Sequence, residues 1–98
     1  MYNNKRSVKK EFLALWAAPN GLETTRIGLV VSARAVGLAT GRNRIKRILR
    51  EVYRKNRARI KNGLDIVVAV RTGAAKRADY GTLEETFFEL AGRARILS

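Results

Sequence analysis

Three short apolar runs punctuate this chain, and turn residues set most of their bounds. Residues 10 to 18 (KEFLALWAA) end at Pro19-Asn20-Gly21. Residues 26 to 33 begin RIGLVVS, and residues 64 to 71 (LDIVVAVR) lie between Asn62-Gly63 and Thr72-Gly73. Their length and flanking turn signals predict strands. Alternation along the first places Phe12, Ala14 and Trp16 on one face and Leu13, Leu15 and Ala17 on the other. The first two runs flank a turn signal and are expected to pair as an antiparallel hairpin. The third is apolar on both faces, as expected of a strand buried on both sides.

Two other stretches repeat with the period of a helix. Residues 82 to 97 carry Leu83, Phe87, Leu90, Ala94 and Leu97 in one stripe, with Phe88 off it. Their start, Thr82-Leu83-Glu84-Glu85, reads as a capping box in which Thr82 and Glu85 satisfy each other's backbone donors. Residues 42 to 60 place Ile45, Ile48, Leu49, Val52 and Asn56 in a narrow arc at about 100° per residue. Thr40 stands where an N-cap belongs, after a loop that Gly37 leaves free to turn. The order strand, strand, helix, strand, helix spans 98 residues without repeat, low-complexity segment or linker. It predicts one α/β domain over residues 1 to 98 that ends in a C-terminal helix.

The polar side of the first helix changes the picture. Asn43, Arg47, Arg50 and Arg54 fill an arc almost opposite the apolar one, with Lys46 and Arg57 at its edge. Residues 42 to 57 carry eight cations and one acid, Glu51. Like charges one turn apart destabilise an isolated helix, so local physics argues against the arrangement and a function argues for it. A solvated face normally mixes signs. Guanidinium forks match phosphate oxygens bidentately, which makes a phosphate backbone the natural complement.

Composition points the same way. The chain has 21 Lys+Arg and 8 Asp+Glu, a formal charge of +13. So much like charge on a small body calls for a polyanion, nucleic acid before an anionic membrane. The cationic arc lacks the bulky apolar residues of a membrane-surface helix, and no helix-turn-helix pairing suggests duplex DNA. There is no cysteine, so no disulfide framework, and no histidine, the commonest general base. The carboxylates are scattered, which disfavours a self-sufficient nuclease built on residues such as Asp65 or Asp79. No apolar run is long enough to span a bilayer and no secretory signal opens the chain, so the cytoplasm is the expected compartment.

At Gly37, Arg42-Asn43-Arg44, Lys46-Arg47 and Arg50-Glu51 the sequence resembles the RNR signature of the bacterial ribonuclease P protein subunit. RIGLVVS and GLDIVVAVRTGAA sit where that family has strands. The resemblance implies an α/β two-layer sandwich with a small mixed sheet, a left-handed strand–basic helix–strand crossover, and a non-catalytic subunit that is inactive alone. It also implies, as partners, a catalytic RNA that requires Mg2+ and the single-stranded 5′ leader of precursor tRNA. No cofactor is expected on the protein, which should be monomeric. Arg42, Asn43, Arg44, Lys46, Arg47, Arg50 and Arg54, with Arg34 in the preceding loop, become the expected RNA contacts. Structural alternatives stand beside two of them: Asn43 in satisfying the helix start, and Arg42 in pairing with Asp65. Trp16 and Phe12 line either the leader cleft or the core, together. The chain has Ala33-Arg34 where the family has paired lysines. It opens at Tyr2-Asn3-Asn4-Lys5, just before the first expected strand, so the given sequence is expected to lack the family's N-terminal cleft helix. A general or ribosomal RNA-binding domain is the competing expectation.

Overall fold

A computed structural model describes residues 6–10, 12–71 and 79–98. Tyr2-Asn3-Asn4-Lys5 and Thr72-Gly73 lie outside them. The order is β1 (Arg6–Lys10), β2 (Leu13–Pro19), β3 (Arg26–Val31), α1 (Ala39–Lys55), a 3₁₀ turn (Arg57–Arg59), β4 (Leu64–Val70) and α2 (Tyr80–Arg93). The strands form one sheet in the order β1-β2-β4-β3. The helices cover one side of it, α2 packing on β1 and β2 and α1 on β3.

The expected hairpin between the first two apolar runs does not form. β2 pairs antiparallel with β4, Trp16 opposite Val67, while β3 pairs parallel with β4, Gly28 opposite Val67. β4 is the most apolar strand, and it takes the centre. The Pro19-Asn20-Gly21 turn is real, with Leu22 N–H donating to Asn20 Oδ1 at 2.7 Å, but it carries the chain past β4 instead of folding it back. Asn20 N–H bonds the Gly63 carbonyl, anchoring that loop to the one before β4. Gly63 has φ +78, and a Cβ there would meet the Leu22 carbonyl at 3.1 Å. The hairpin that does form joins β1 and β2. The run from residue 10 to 18 is therefore broken, by a turn at Phe12, into parts of two strands.

Burial follows alternation on β2, where Leu13, Leu15 and Ala17 face the helices. They join Ile66, Val68 and Val70 of β4, Ile45, Leu49 and Val52 of α1, and Leu83, Phe87, Leu90 and Ala91 of α2. The expectation that β4 is buried on both sides fails, since Val67 is exposed. Phe12 is also displaced from its expected face. It is 3% exposed against 37% for Trp16, because the turn releases it from strand alternation and drops it into the core.

Both helices start earlier than expected. α1 begins at Ala39 with Leu38 as N-cap and no side-chain cap bond, so Thr40 is not the cap. α2 is capped by Asp79, whose carboxylate accepts from Thr82 N–H at 2.8 Å and from the Thr82 hydroxyl at 3.0 Å. Thr82 and Glu85 thus lie inside the helix, and an acidic cap offers a stronger acceptor than the capping box. α2 closes in a Schellman motif: Arg95 N–H bonds the Gly92 carbonyl, Ile96 N–H that of Ala91, and Arg95 takes the left-handed position (φ 59). The tail then pairs Leu97 with Ile60. Phe88 meets Phe87 edge-on at 5.8 Å, and the Arg59 guanidinium lies 4.7 Å from its ring centroid.

At the start of β4, Asp65 receives two bonds of 2.8 Å from Arg26 and one of 3.1 Å from Asn20. Hydrogen bonds from Arg26, then Asn20, pull its carboxyl from 3.8 to about 2. Its contribution to stability is therefore present above pH 3.8 and lost as pH falls towards 2. Asp65→Asn should flatten the acid limb of a melting-temperature profile over that window. An unchanged limb would mean that the Arg26 pair contributes nothing.

Candidate nucleic-acid interface

α1 presents its two sides as the helical wheel predicts. Ile45, Leu49 and Val52 are buried and Ile48 half-buried, while Asn43, Arg44, Arg47, Arg50 and Arg54 are exposed and Lys46 half-buried. Asn56 ends the apolar arc, donating to the Val52 carbonyl at 2.8 Å and to Glu84 of α2 at 3.1 Å. The lone acid is occupied: Glu51 binds Arg54 through two bonds and reaches Lys55 at 3.8 Å. The Arg54 bond is the first cause that holds the Glu51 carboxyl below its ordinary range. Among the described residues, no carboxylate pairs with Arg47 or Arg50, while Arg44 makes no ion pair but lies near enough to Asp79 to help lower its carboxyl. The Arg47 and Arg50 guanidiniums stand ready for an external anion.

Two expected contacts are altered. Arg42 turns back on the preceding loop, donating from Nη1 to the Val36 and Gly37 carbonyls at 3.0 Å each. It does not pair with Asp65, and its structural task is to hold the loop that carries exposed Arg34. Arg54 is partly committed to Glu51. Asn43 makes no helix-start bond, since α1 has no side-chain cap and no acid in its first turn.

The sheet's other face, away from the helices, supplies a second surface. Register places Ser7, Trp16, Val67 and Gly28 in one row across the sheet, and Lys9, Ala14, Ala69 and Val30 in the next. A groove of about 420 Å3 lies there, lined by Ser7, Lys9, Ala14, Trp16, Ala69 and Arg71 among others. Ala14 and Ala69 form a low floor beside the exposed indole, and a Cβ on Gly28 would meet nothing within 4 Å. An aromatic face flanked by two cations over small residues suits a stacked base with its phosphate. Sequence reasoning neither separates Trp16 from Phe12 nor finds Lys9 and Arg71. Lys9 is hidden because RSVKK has one apolar residue and no strand signal, and Arg71 because its neighbours across the sheet come from distant segments.

Two cationic or aromatic surfaces on opposite sides of a four-stranded sheet define a polyanion-binding α/β protein of the nucleic-acid-binding class. Residues 1–95 match the family described as Ribonuclease P. A ribonuclease P protein component from Caldanaerobacter subterraneus subsp. tengcongensis is 36% identical over 92% of this chain and 76% of its own length. One from Thermotoga maritima is 35% identical over 95% and 81%. Among solved structures, a Thermotoga maritima RNase P protein superposes with TM-score 0.82 at 37% identity, covering 91% of this chain and 85% of that one. The Staphylococcus aureus RNase P protein gives 0.84 at 26% identity, covering 99% and 87%. The chain belongs to the bacterial ribonuclease P protein family, whose members are the protein component of ribonuclease P. Among the described residues, no helix is long and apolar enough to cross a membrane.

Proposed function

We propose that this chain binds the catalytic RNA of ribonuclease P through α1 and holds the 5′ leader of precursor tRNA on the open sheet face. The observation that carries the reading is the set of arginines on α1 left without carboxylate partners among the described residues. The leader role rests on Trp16 in its groove with Lys9 and Arg71. The chain does no bond cleavage itself. Bond breaking and its Mg2+ requirement belong to the RNA, and the protein adds positive charge and a stacking platform that bring substrate and RNA together. Opposite faces suit this division, because one domain then touches both RNAs without competition. The cytoplasm, where tRNA is matured, is the assigned compartment.

The test is cleavage of precursor tRNA by a bacterial ribonuclease P RNA at low Mg2+, with and without the chain. Expected is correct 5′ processing with both components and none with the chain alone. Cleavage by the chain alone would overturn the non-catalytic reading. RNA binding without any effect on cleavage would overturn the subunit role in favour of general RNA binding.

A further inference from the structure

At the end of the sheet, on its helix-covered side, a cavity of about 350 Å3 opens between the end of β2, the start of β4 and the tail after α2. Its walls include apolar Pro19, Leu64, Ala94 and Ile96, with two cations, Lys61 and Arg95, and no carboxylate in the lining. It shares no lining residue with the Trp16 groove, and none comes from α1. The volume lies near the lower end of the roughly 300–1,000 Å3 range of small-molecule sites.

Arg95 makes this cavity more than a gap in packing. It occupies the left-handed position of the Schellman motif, where glycine is the unstrained choice, and it is the sole non-glycine with positive φ among the described residues. Complementing the negative end of the α2 dipole does not explain it, because Arg93 already supplies a cation in the last turn. Lys61 is held beside it: Lys61 N–H bonds the Ile96 carbonyl at 2.8 Å, and the Lys61 carbonyl accepts from the buried Thr25 hydroxyl at 2.6 Å. The backbone carrying both cations is thereby fixed before any ligand arrives, which lowers the cost of ordering on binding.

We propose that this cavity is a nucleotide site, with Lys61 and Arg95 holding the phosphate and Pro19, Leu64 and Ile96 packing against the base or ribose. Two sources share this chemistry, a free mononucleotide and a nucleotide within an RNA strand.

The experiment is an amide-resonance titration of the full chain with adenosine 5′-monophosphate, inorganic phosphate, adenosine, and a short RNA lacking terminal phosphates. Saturable shifts at Lys61, Leu64 and Ala94 to Leu97 with the mononucleotide, and weaker binding of phosphate or adenosine alone, are expected. Arg95→Gly should weaken the mononucleotide by about tenfold, the effect of removing one charge-assisted hydrogen bond. The same change should leave the melting temperature equal or higher, since glycine relieves the left-handed backbone. Arg47→Ala should leave these shifts intact. Displacement of the mononucleotide by the short RNA assigns the site to a strand, and failure to displace it assigns the site to the free nucleotide. Shifts confined to α1, phosphate binding as tightly as the nucleotide, or an Arg95→Gly variant of unchanged affinity would overturn the proposal.

Discussion

Replacing Arg47 and Arg50 together by alanine is expected to weaken binding to ribonuclease P RNA by about 10- to 100-fold while leaving the fold intact. Both side chains are exposed, they sit opposite the buried arc of α1, and neither has a carboxylate partner among the described residues. Removing them disturbs no internal ion pair and relieves like-charge repulsion along the helix, so the melting temperature of the free protein should hold or rise slightly. The salt dependence is the more specific readout. For each phosphate no longer neutralised, the slope of log affinity against log salt should flatten by about 0.7–0.9. A variant with weakened binding and an unchanged slope would show that these arginines act through shape and not charge. One that unfolds would show that the face is structural.

The largest stability effect is expected at Phe87. It is 1% exposed at the centre of the α2 interface, with Leu83 and Leu90 one turn to either side. Truncation to alanine removes a ring from a closed core and its edge-on packing against Phe88, at a cost of about 3–5 kcal/mol. A domain of this size is stable by about 5–15 kcal/mol in total, so a large part of the margin disappears. The melting temperature should fall by at least about 12 °C. Ribonuclease P RNA should recover part of that loss, because a partner that binds the folded state alone stabilises it by mass action. A drop of only a few degrees would mean that α2 contributes less to the core than its burial implies. By contrast Ile48, on the same arc as Leu49 but half-buried, should tolerate truncation far better than its place on the wheel suggests.

The contrast between Ile48 and Leu49 shows where a sequence stops informing. The helical wheel separates the two sides of α1 because both are defined by neighbours three and four residues apart. The same local reasoning places β3 and β4, which carry continuous runs without helical period, rich in valine and isoleucine. It cannot place β1, whose Lys10 is inward-facing and acceptable there only because Glu89, 79 residues later, receives its ammonium. Nor can it pair the strands, since the competition between β3 and β4 for β2 is decided by which apolar strand gains most from the centre of the sheet. Asp79 escapes a local reading as a cap because the helical period begins at Thr82, and only the folded chain shows the extra turn ahead of it. Trp16 and Phe12 share a parity in sequence, and one turn residue between the strands is enough to part them. The site is legible where chemistry and period coincide on one element. The open groove is not, because its cations come from residues 9 and 71 and its indole from residue 16.

The strand order has a consequence for how the chain is born. β2 and β3 both pair with β4, and β4 is the last of the four described strands to be synthesised. Until residues 64–70 have left the ribosome β3 has no strand to pair with and β2 has only β1, and the basic helix is made while both wait. At synthesis rates of about 5–20 residues per second, a nascent segment with seven cations and one acid between Ala39 and Lys55 spends seconds without its sheet, beside a machine built of RNA. The topology that sets the arginines on a firm support in the finished protein thus leaves them, during manufacture, as an unanchored polycation.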